Sequence, residues 1–300
     1  MHSLEYRDQT GLVRECQRWL GAWWPSRRLR RDPLADLLVD DRYLPVSIAN
    51  WKLTPWVERN LLARRVARPL VFSTDRRLTL VIPFRDREEH LQQLLPALTA
   101  TLAEESIRYR ILVVEQVAGG LFNRGKLINV GMHYAANDSD YFCIHDVDAV
   151  PIVANYRCPS QPLRLVNKIH TEHGLEHRTA YYFSGAVSVR KDQAFAAGGF
   201  SNEYWGWGKE DDDFFFRLLL ADCLCYYDTR GEFRDLPNPR QQHVVRKSAQ
   251  TPPHVAANRK RRSRLLRGLA KPSEDGLQTL RYEIVSQSAH ELYERILVRL

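Results

Sequence analysis

Ten consecutive residues, Tyr204-Trp205-Gly206-Trp207-Gly208-Lys209-Glu210-Asp211-Asp212-Asp213, gather two tryptophans, two glycines and four adjacent acids. Adjacent carboxylates repel one another, so grouping them suits a site that binds hydroxyls and accepts a proton. Tryptophan offers the flat apolar face on which a sugar ring stacks, and glycine lets the backbone bend sharply. A solvated acidic helix start is the plainer alternative, because acids favour a helix N-terminus.

Asp146-Val147-Asp148 is a second acidic group. Residues i and i+2 at a strand end point the same way, so both carboxylates can reach one ligand. A hard divalent cation bridging a diphosphate needs oxygen ligands of this kind. Two further segments offer anion or nucleotide contacts. In Pro83-Phe84-Arg85-Asp86-Arg87, the ring of Phe84 could stack on a base, and Arg85 and Arg87 could reach phosphate or base edges. In Phe122-Asn123-Arg124-Gly125-Lys126, two cations sit where a helix begins, which makes an anion site. A capped turn accounts for either segment equally well.

The elements that must position these groups read as α/β. Leu78–Pro83 is a continuous apolar run of the kind found in buried parallel strands. Leu91, Leu94, Leu95 and Leu98 then fall at helical spacing within 87–102, with Pro96 a possible kink. Tyr109–Glu115 is a second buried strand, 124–136 a second helix and Tyr141–Asp146 a third strand. Cys223–Tyr227 alternates like part of a strand. Strand–helix–strand repetition predicts a parallel sheet with right-handed crossovers and a ligand site at the strands' carboxyl ends. Residues 1–75 read as a separate helical extension, with helices near Leu12–Trp24, Pro33–Leu38 and Pro55–Val66, ahead of a catalytic domain at 76–300.

Six stretches together resemble the β-1,4-galactosyltransferase family of inverting, metal-dependent glycosyltransferases. They are Val81–Leu91, Phe122–Gly131, Asp146–Pro151, Tyr156–Pro162, Tyr182–Ser188 and Gly199–Asp213, in the family's order. The resemblance implies a GT-A, Rossmann-like nucleotide-sugar transferase fold with a mostly parallel central sheet. It implies Mn²⁺ or another divalent cation and UDP-galactose as donor. Pro83, Phe84, Arg85 and Arg87 then correspond to a uridine-contacting segment, with Phe122 and Arg124 as a second. Asp148 corresponds to the metal-binding acid, and Asp146 with Val147 to a contact with the nucleotide sugar. Gly185 lies where backbone meets the donor. Trp207 corresponds to the tryptophan of a loop that closes over both substrates. Glu210, Asp211 and Asp212 correspond to sugar-binding acids, with Asp211 the catalytic base. The family's metal-binding histidine falls on His243, with His254 the alternative. Tyr182 corresponds to a position that favours galactose over N-acetylgalactosamine, since its bulk leaves less room for an acetamido group.

Bulk composition bounds the reading. The chain has 300 residues, 44% of them hydrophobic, and 44 basic against 36 acidic residues give a formal charge of +8. The excess suits a phosphate-bearing partner. The basic run at 259–271 could meet anionic lipid or a phosphorylated acceptor, or form a solvated helix. No aromatic residues interleave with its charges, which disfavours nucleic acid. Five scattered cysteines and no apolar stretch long enough to span a membrane give the expectation of a cytoplasmic protein, peripheral at the inner membrane face at most. That expectation favours a bacterial-type enzyme building a cell-surface glycan or glycolipid. UDP-N-acetylgalactosamine or UDP-glucose as donor, and a sugar-binding pseudoenzyme, are the alternatives.

Overall fold

The computed structural model describes residues 42–46, 70–179, 182–237 and 251–300. The three helices expected before residue 67, and His243, lie outside the described residues.

The strands are β1 (Tyr43–Pro45), β2 (Phe72–Ser73), β3 (Arg77–Phe84), β4 (Arg108–Gln116), β5 (Tyr141–His145), β6 (Ala149–Val153), β7 (Cys158–Pro159), β8 (Leu163–Arg164), β9 (Lys168–Thr171), β10 (Gly174–His177), β11 (Ala186–Arg190), β12 (Tyr226–Asp228), β13 (Glu232–Asp235), β14 (Glu283–Ala289) and β15 (Glu294–Arg299). The main helices are α1 (Glu88–Glu104), α2 (Arg124–Tyr134), α3 (Lys191–Ala196), α4 (Glu210–Leu220) and α5 (Pro253–Leu266).

A nine-stranded sheet runs β1-β12-β8-β11-β5-β3-β4-β15-β14. Its centre, β5-β3-β4-β15, is parallel, as the continuous apolar runs require of strands covered on both faces. Antiparallel β11 joins β5, and antiparallel β14 and β1 form the edges, so the whole sheet is mixed. The edge strand β1 comes from within the segment read as an N-terminal extension. A four-stranded sheet, β10-β9-β13-β6, lies beyond the carboxyl end of β5, since β6 follows it directly.

Helices cover both faces. On one, α1 buries Leu91, Leu94, Leu95, Leu98 and Leu102; Pro96 lies within this helix without ending it. On the other, α2, α4 and α5 contribute Leu127, Ile128, Phe214, Phe215, Leu265 and Leu266 to a second core. Close approach is built in at Gly131, where a Cβ would stand 2.4 Å from Val81 Cγ1. Among the described residues no helix is long and apolar enough to cross a membrane. Cys143, Cys158, Cys223 and Cys225 are buried.

Candidate active site

The site is assembled where β5 ends, α2 begins, β11 is entered and α4 begins. The Asn123 side chain caps α2, accepting from the Lys126 amide at 2.9 Å, which leaves Arg124 in the first turn pointing across the strand ends. Its guanidinium donates through Nε to Asp146 Oδ1 at 2.7 Å and through Nη1 to Asp211 Oδ1 at 2.6 Å. Glu210 Oε1 lies 3.8 Å from the same nitrogen. One largely buried cation therefore joins Asp146 and Asp211, which the sequence keeps 65 residues apart.

Burial sets the electrostatics. It pushes the Asp146 carboxyl up to about 7, against the lowering effect of Arg124 and with help from Asp148 and Asp211. It pushes Glu210 up to about 8, with the Asp211 charge adding to it and Arg124 opposing. Glu210 Oε2 is buried without a hydrogen-bond partner. A buried acceptor left open in this way is costly unless a ligand fills it, and a sugar hydroxyl would.

The turn after β5 is held from behind. The Asp146 amide donates to the Gly185 carbonyl at 2.8 Å. Gly185 has φ +90°, and a Cβ there would press on Val166 at 3.1 Å, so the position needs glycine. His145 Nδ1 lies 3.0 Å from the Asp146 carbonyl and its Nε2 lies 2.9 Å from the Tyr156 hydroxyl. A carbonyl only accepts, so Nδ1 carries the proton and Nε2 accepts from tyrosine. Burial holds this imidazole neutral, its pKa down at about 4. Val147, between the two acids, is buried.

Asp148 is the acid available for a cation. Burial raises its pKa, the Asp235 charge raises it further, and Arg87 and Arg124 only partly offset this. A half-buried carboxylate whose pKa a second carboxylate raises fits a divalent ion. Among the described residues, however, no group of three or more His, Cys, Asp or Glu side chains is arranged to hold a metal. The alternative histidine, His254, stands at the start of α5 against Gly206, where a Cβ would be 2.4 Å from its Cδ2. Its neighbour is thus the tryptophan loop.

The nucleotide-side expectations separate. A cleft of about 580 Å³ opens at the carboxyl end of β3 between Phe84, Arg87, His90 and Glu115. Phe84 itself is buried, with the Arg295 guanidinium 5.0 Å from its ring centroid. At 2% exposure the Phe84 ring offers little face to a base, which is at odds with the expected stacking. Pro83, one residue earlier in β3, is buried in the sheet. Phe122 is half-buried, and it too has a cation over its ring, Arg85 at 5.2 Å, so only its greater exposure separates it from Phe84. Arg85 also donates to the carbonyls of Gly119 and Gly120.

The four acids of α4 have divided surroundings. Asp211 takes Arg124 on one oxygen and the Ser184 hydroxyl on the other at 2.6 Å. Asp212 lies 3.1 Å from Lys209 Nζ and 2.8 Å from Arg262 Nε. Asp213 is buried, accepts from Tyr204 at 2.9 Å and pairs with Arg217, so it supports the helix. Trp207 is 45% exposed, on a loop whose Gly206 amide donates to the Phe122 carbonyl at 2.8 Å. Lys209 closes the loop in the left-handed region at φ +83°. Tyr182 faces the cluster: burial, then the charges of Asp146 and Asp211, push its phenol up to about 12. Arg164 holds the Tyr182 carbonyl from below and lies 5.7 Å from its ring centroid.

Sequence reasoning missed Ser184, Asp235, Arg164 and Asn258. Ser184 stood inside the Tyr182–Ser188 stretch, and Asp235 ends a strand beside β6; only the fold shows what each faces. The basic run 259–271 is corrected in part. Arg262 meets Asp212 and Arg261 meets Glu203 at 3.0 Å, while Leu265 and Leu266 enter the core. Nothing in this arrangement supports a membrane contact.

Comparison with known proteins gives consistent matches. Residues 55–159 match the N-terminal region of glycosyl transferase group 7, and 166–228 match the N-terminal domain of galactosyltransferase. The chain is 34% identical over 228 residues to Beta-1,4-galactosyltransferase 1 of Homo sapiens, covering 74% of this chain and 54% of that protein. It is 33% identical over 246 residues to the human Beta-1,4-galactosyltransferase 4, covering 80% and 68%. The chain thus spans about half the length of the first of these relatives. A solved structure of a Drosophila β-1,4-galactosyltransferase 7 mutant, with manganese, UDP-Gal and xylobiose, superposes with a TM-score of 0.62 at 29% identity, covering 75% of this chain and 94% of that one. These relatives are animal enzymes, and none of them supports the expectation of a bacterial-type member.

Proposed function

The chain belongs to the β-1,4-galactosyltransferase family, glycosyltransferase family 7, and on that premise we propose that it moves galactose from UDP-galactose to a hydroxyl of a glycan acceptor with inversion. The observation that carries the reading is the Arg124 bridge between Asp146 and Asp211. It joins a nucleotide-side acid to an acid suited to deprotonate an acceptor.

Inversion places the attacking hydroxyl on the face opposite the leaving UDP. Asp211, within reach of that hydroxyl, takes its proton as the new bond forms. Arg124 offers positive charge to the diphosphate side from a buried position, where a charge acts strongly. Glu210 offers its open oxygen to a sugar hydroxyl, and Tyr182 limits the room beside the donor. Trp207 gives the acceptor ring a face and, with its loop, excludes water that would hydrolyse the donor. A divalent cation held by Asp148, with His243 the further ligand proposed, would stabilise charge on the departing diphosphate.

Tyr182 supports galactose over N-acetylgalactosamine; UDP-glucose is the remaining donor alternative. Manganese, UDP-Gal and xylobiose in the Drosophila enzyme make β-xylosides the first acceptors to screen. Cytoplasmic residence and a cell-surface glycan product are part of the proposal, resting on composition and on the scattered cysteines of the sequence. The test is transfer by purified protein from several UDP-sugars with Mn²⁺, with linkage read by NMR. UDP-galactose is expected to be the preferred donor; turnover of another UDP-sugar in its place overturns that choice. Asp211→Asn is expected to lower transfer by about a hundredfold or more while UDP still binds by calorimetry. Undiminished transfer removes Asp211 from the base role.

A further inference from the structure

Ser184 precedes β11 and is almost wholly buried, at 5% exposure. Its backbone is fixed on the C-terminal side: Gly185 takes the Asp146 amide, and Ala186 pairs with His145 in the sheet. From there its hydroxyl reaches the first turn of α4 and donates to Asp211 Oδ2 at 2.6 Å. Arg124, from α2, holds Oδ1 of the same carboxylate at 2.6 Å. The two oxygens are therefore held by two elements that enter from different sides.

The two anchors are unequal in kind. Arg124 also binds Asp146, so its guanidinium is shared with the nucleotide side. Ser184 serves the acceptor side: a serine has one hydroxyl proton to give, and it gives it to Asp211.

We propose that Ser184 is a positioning residue for Asp211, setting the rotation of its carboxylate. The terminal torsion of an aspartate is broad, so one anchor leaves the carboxylate free to swing. Two anchors define which lone pair faces the acceptor. A base displaced by even an ångström loses rate without losing substrate affinity. The inference rests on the reading of Asp211 as the base.

The experiment compares Ser184→Ala and Ser184→Thr with the unaltered protein, using Mn²⁺, UDP-galactose and a β-xyloside. Ser184→Ala is expected to lower kcat by about ten- to a hundredfold, with KM for UDP-galactose within about twofold. Ser184→Thr, which keeps the hydroxyl, is expected to recover most of that loss. A crystal structure of Ser184→Ala is expected to show the Asp211 carboxylate turned from its present rotation. Full kcat in Ser184→Ala, or an unturned carboxylate, overturns the proposal. If the unaltered protein transfers no galactose, the functional reading fails by itself, and the rotation of Asp211 still decides the role of Ser184.

Discussion

Glu210 shows how one residue records the purpose of its surroundings. It opens α4, is buried, carries an oxygen with no partner, and sits beside Asp211. Burial and that neighbouring charge push its carboxyl up to about 8. The consequence for stability has a definite sign. Between about pH 4, where an unfolded glutamate loses its proton, and about pH 8, the native state holds a proton that the unfolded state has lost. Stability from this group is complete below the window and is lost as pH rises through it. Glu210→Gln keeps the shape and removes the titration. Its melting temperature is expected to match that of the unaltered protein near pH 4 and to exceed it by pH 8. Parallel melting curves across the window would show that Glu210 titrates normally. At this scale the acids of the site were legible because carboxylates crowded in sequence are unusual. Ser184 and Asp235 were not, because a single serine or aspartate carries no pattern and acquires meaning only from what the fold sets against it.

At the scale of elements, the tryptophan loop and α5 act as a pair. Asn258, buried on α5, donates to the carbonyls of Trp205 at 3.1 Å and Trp207 at 3.3 Å. Arg261 and Arg262 on the same helix meet Glu203 and Asp212, on either side of that loop. The helix looked basic all round, and its engaged face could not be told from its exposed face until α4 was placed beside it. Asn258→Ala leaves two loop carbonyls without this donor and is expected to cost about 1–2 kcal/mol in urea unfolding. A looser loop admits water, so the ratio of UDP-galactose hydrolysis to transfer is expected to rise. An unchanged ratio would mean that the loop is ordered by other contacts. By contrast, β3, β4 and β5 were legible to within a residue or two, because parallel strands covered on both faces must be apolar along their length. The helix α1 followed from its leucine spacing, while the Asn123 cap that opens α2 is seen only in the fold.

At the scale of the whole molecule, the C-terminal strands complete a sheet begun some two hundred residues earlier. β15 lies parallel to β4, with Ile296 and Val298 fully buried, and β14 is the exposed edge beyond it. These strands had no expectation attached to them: β14 mixes Ile284 and Val285 with polar residues and is exposed throughout, and only the fold shows β15 beside β4. Their polar ties reach β4 and the start of α1. Arg110 pairs with Glu294 at 2.6 Å, and Arg295 pairs with Glu88 at 2.7 Å while covering Phe84 at the carboxyl end of β3. A chain ending at Tyr282 would leave β4 as an open edge and uncover the apolar face that β15 protects, both of which favour aggregation. It would also leave Glu88 and Glu115 without their arginine. Such a chain is expected to lose cooperative urea unfolding and UDP binding together, and to appear mainly in the insoluble fraction. Retention of a single sharp transition with unaltered UDP affinity would show that β3, β4 and β5 hold the nucleotide side without the C-terminal strands. Loss of both would show that the last strands of the chain are part of the donor site's foundation.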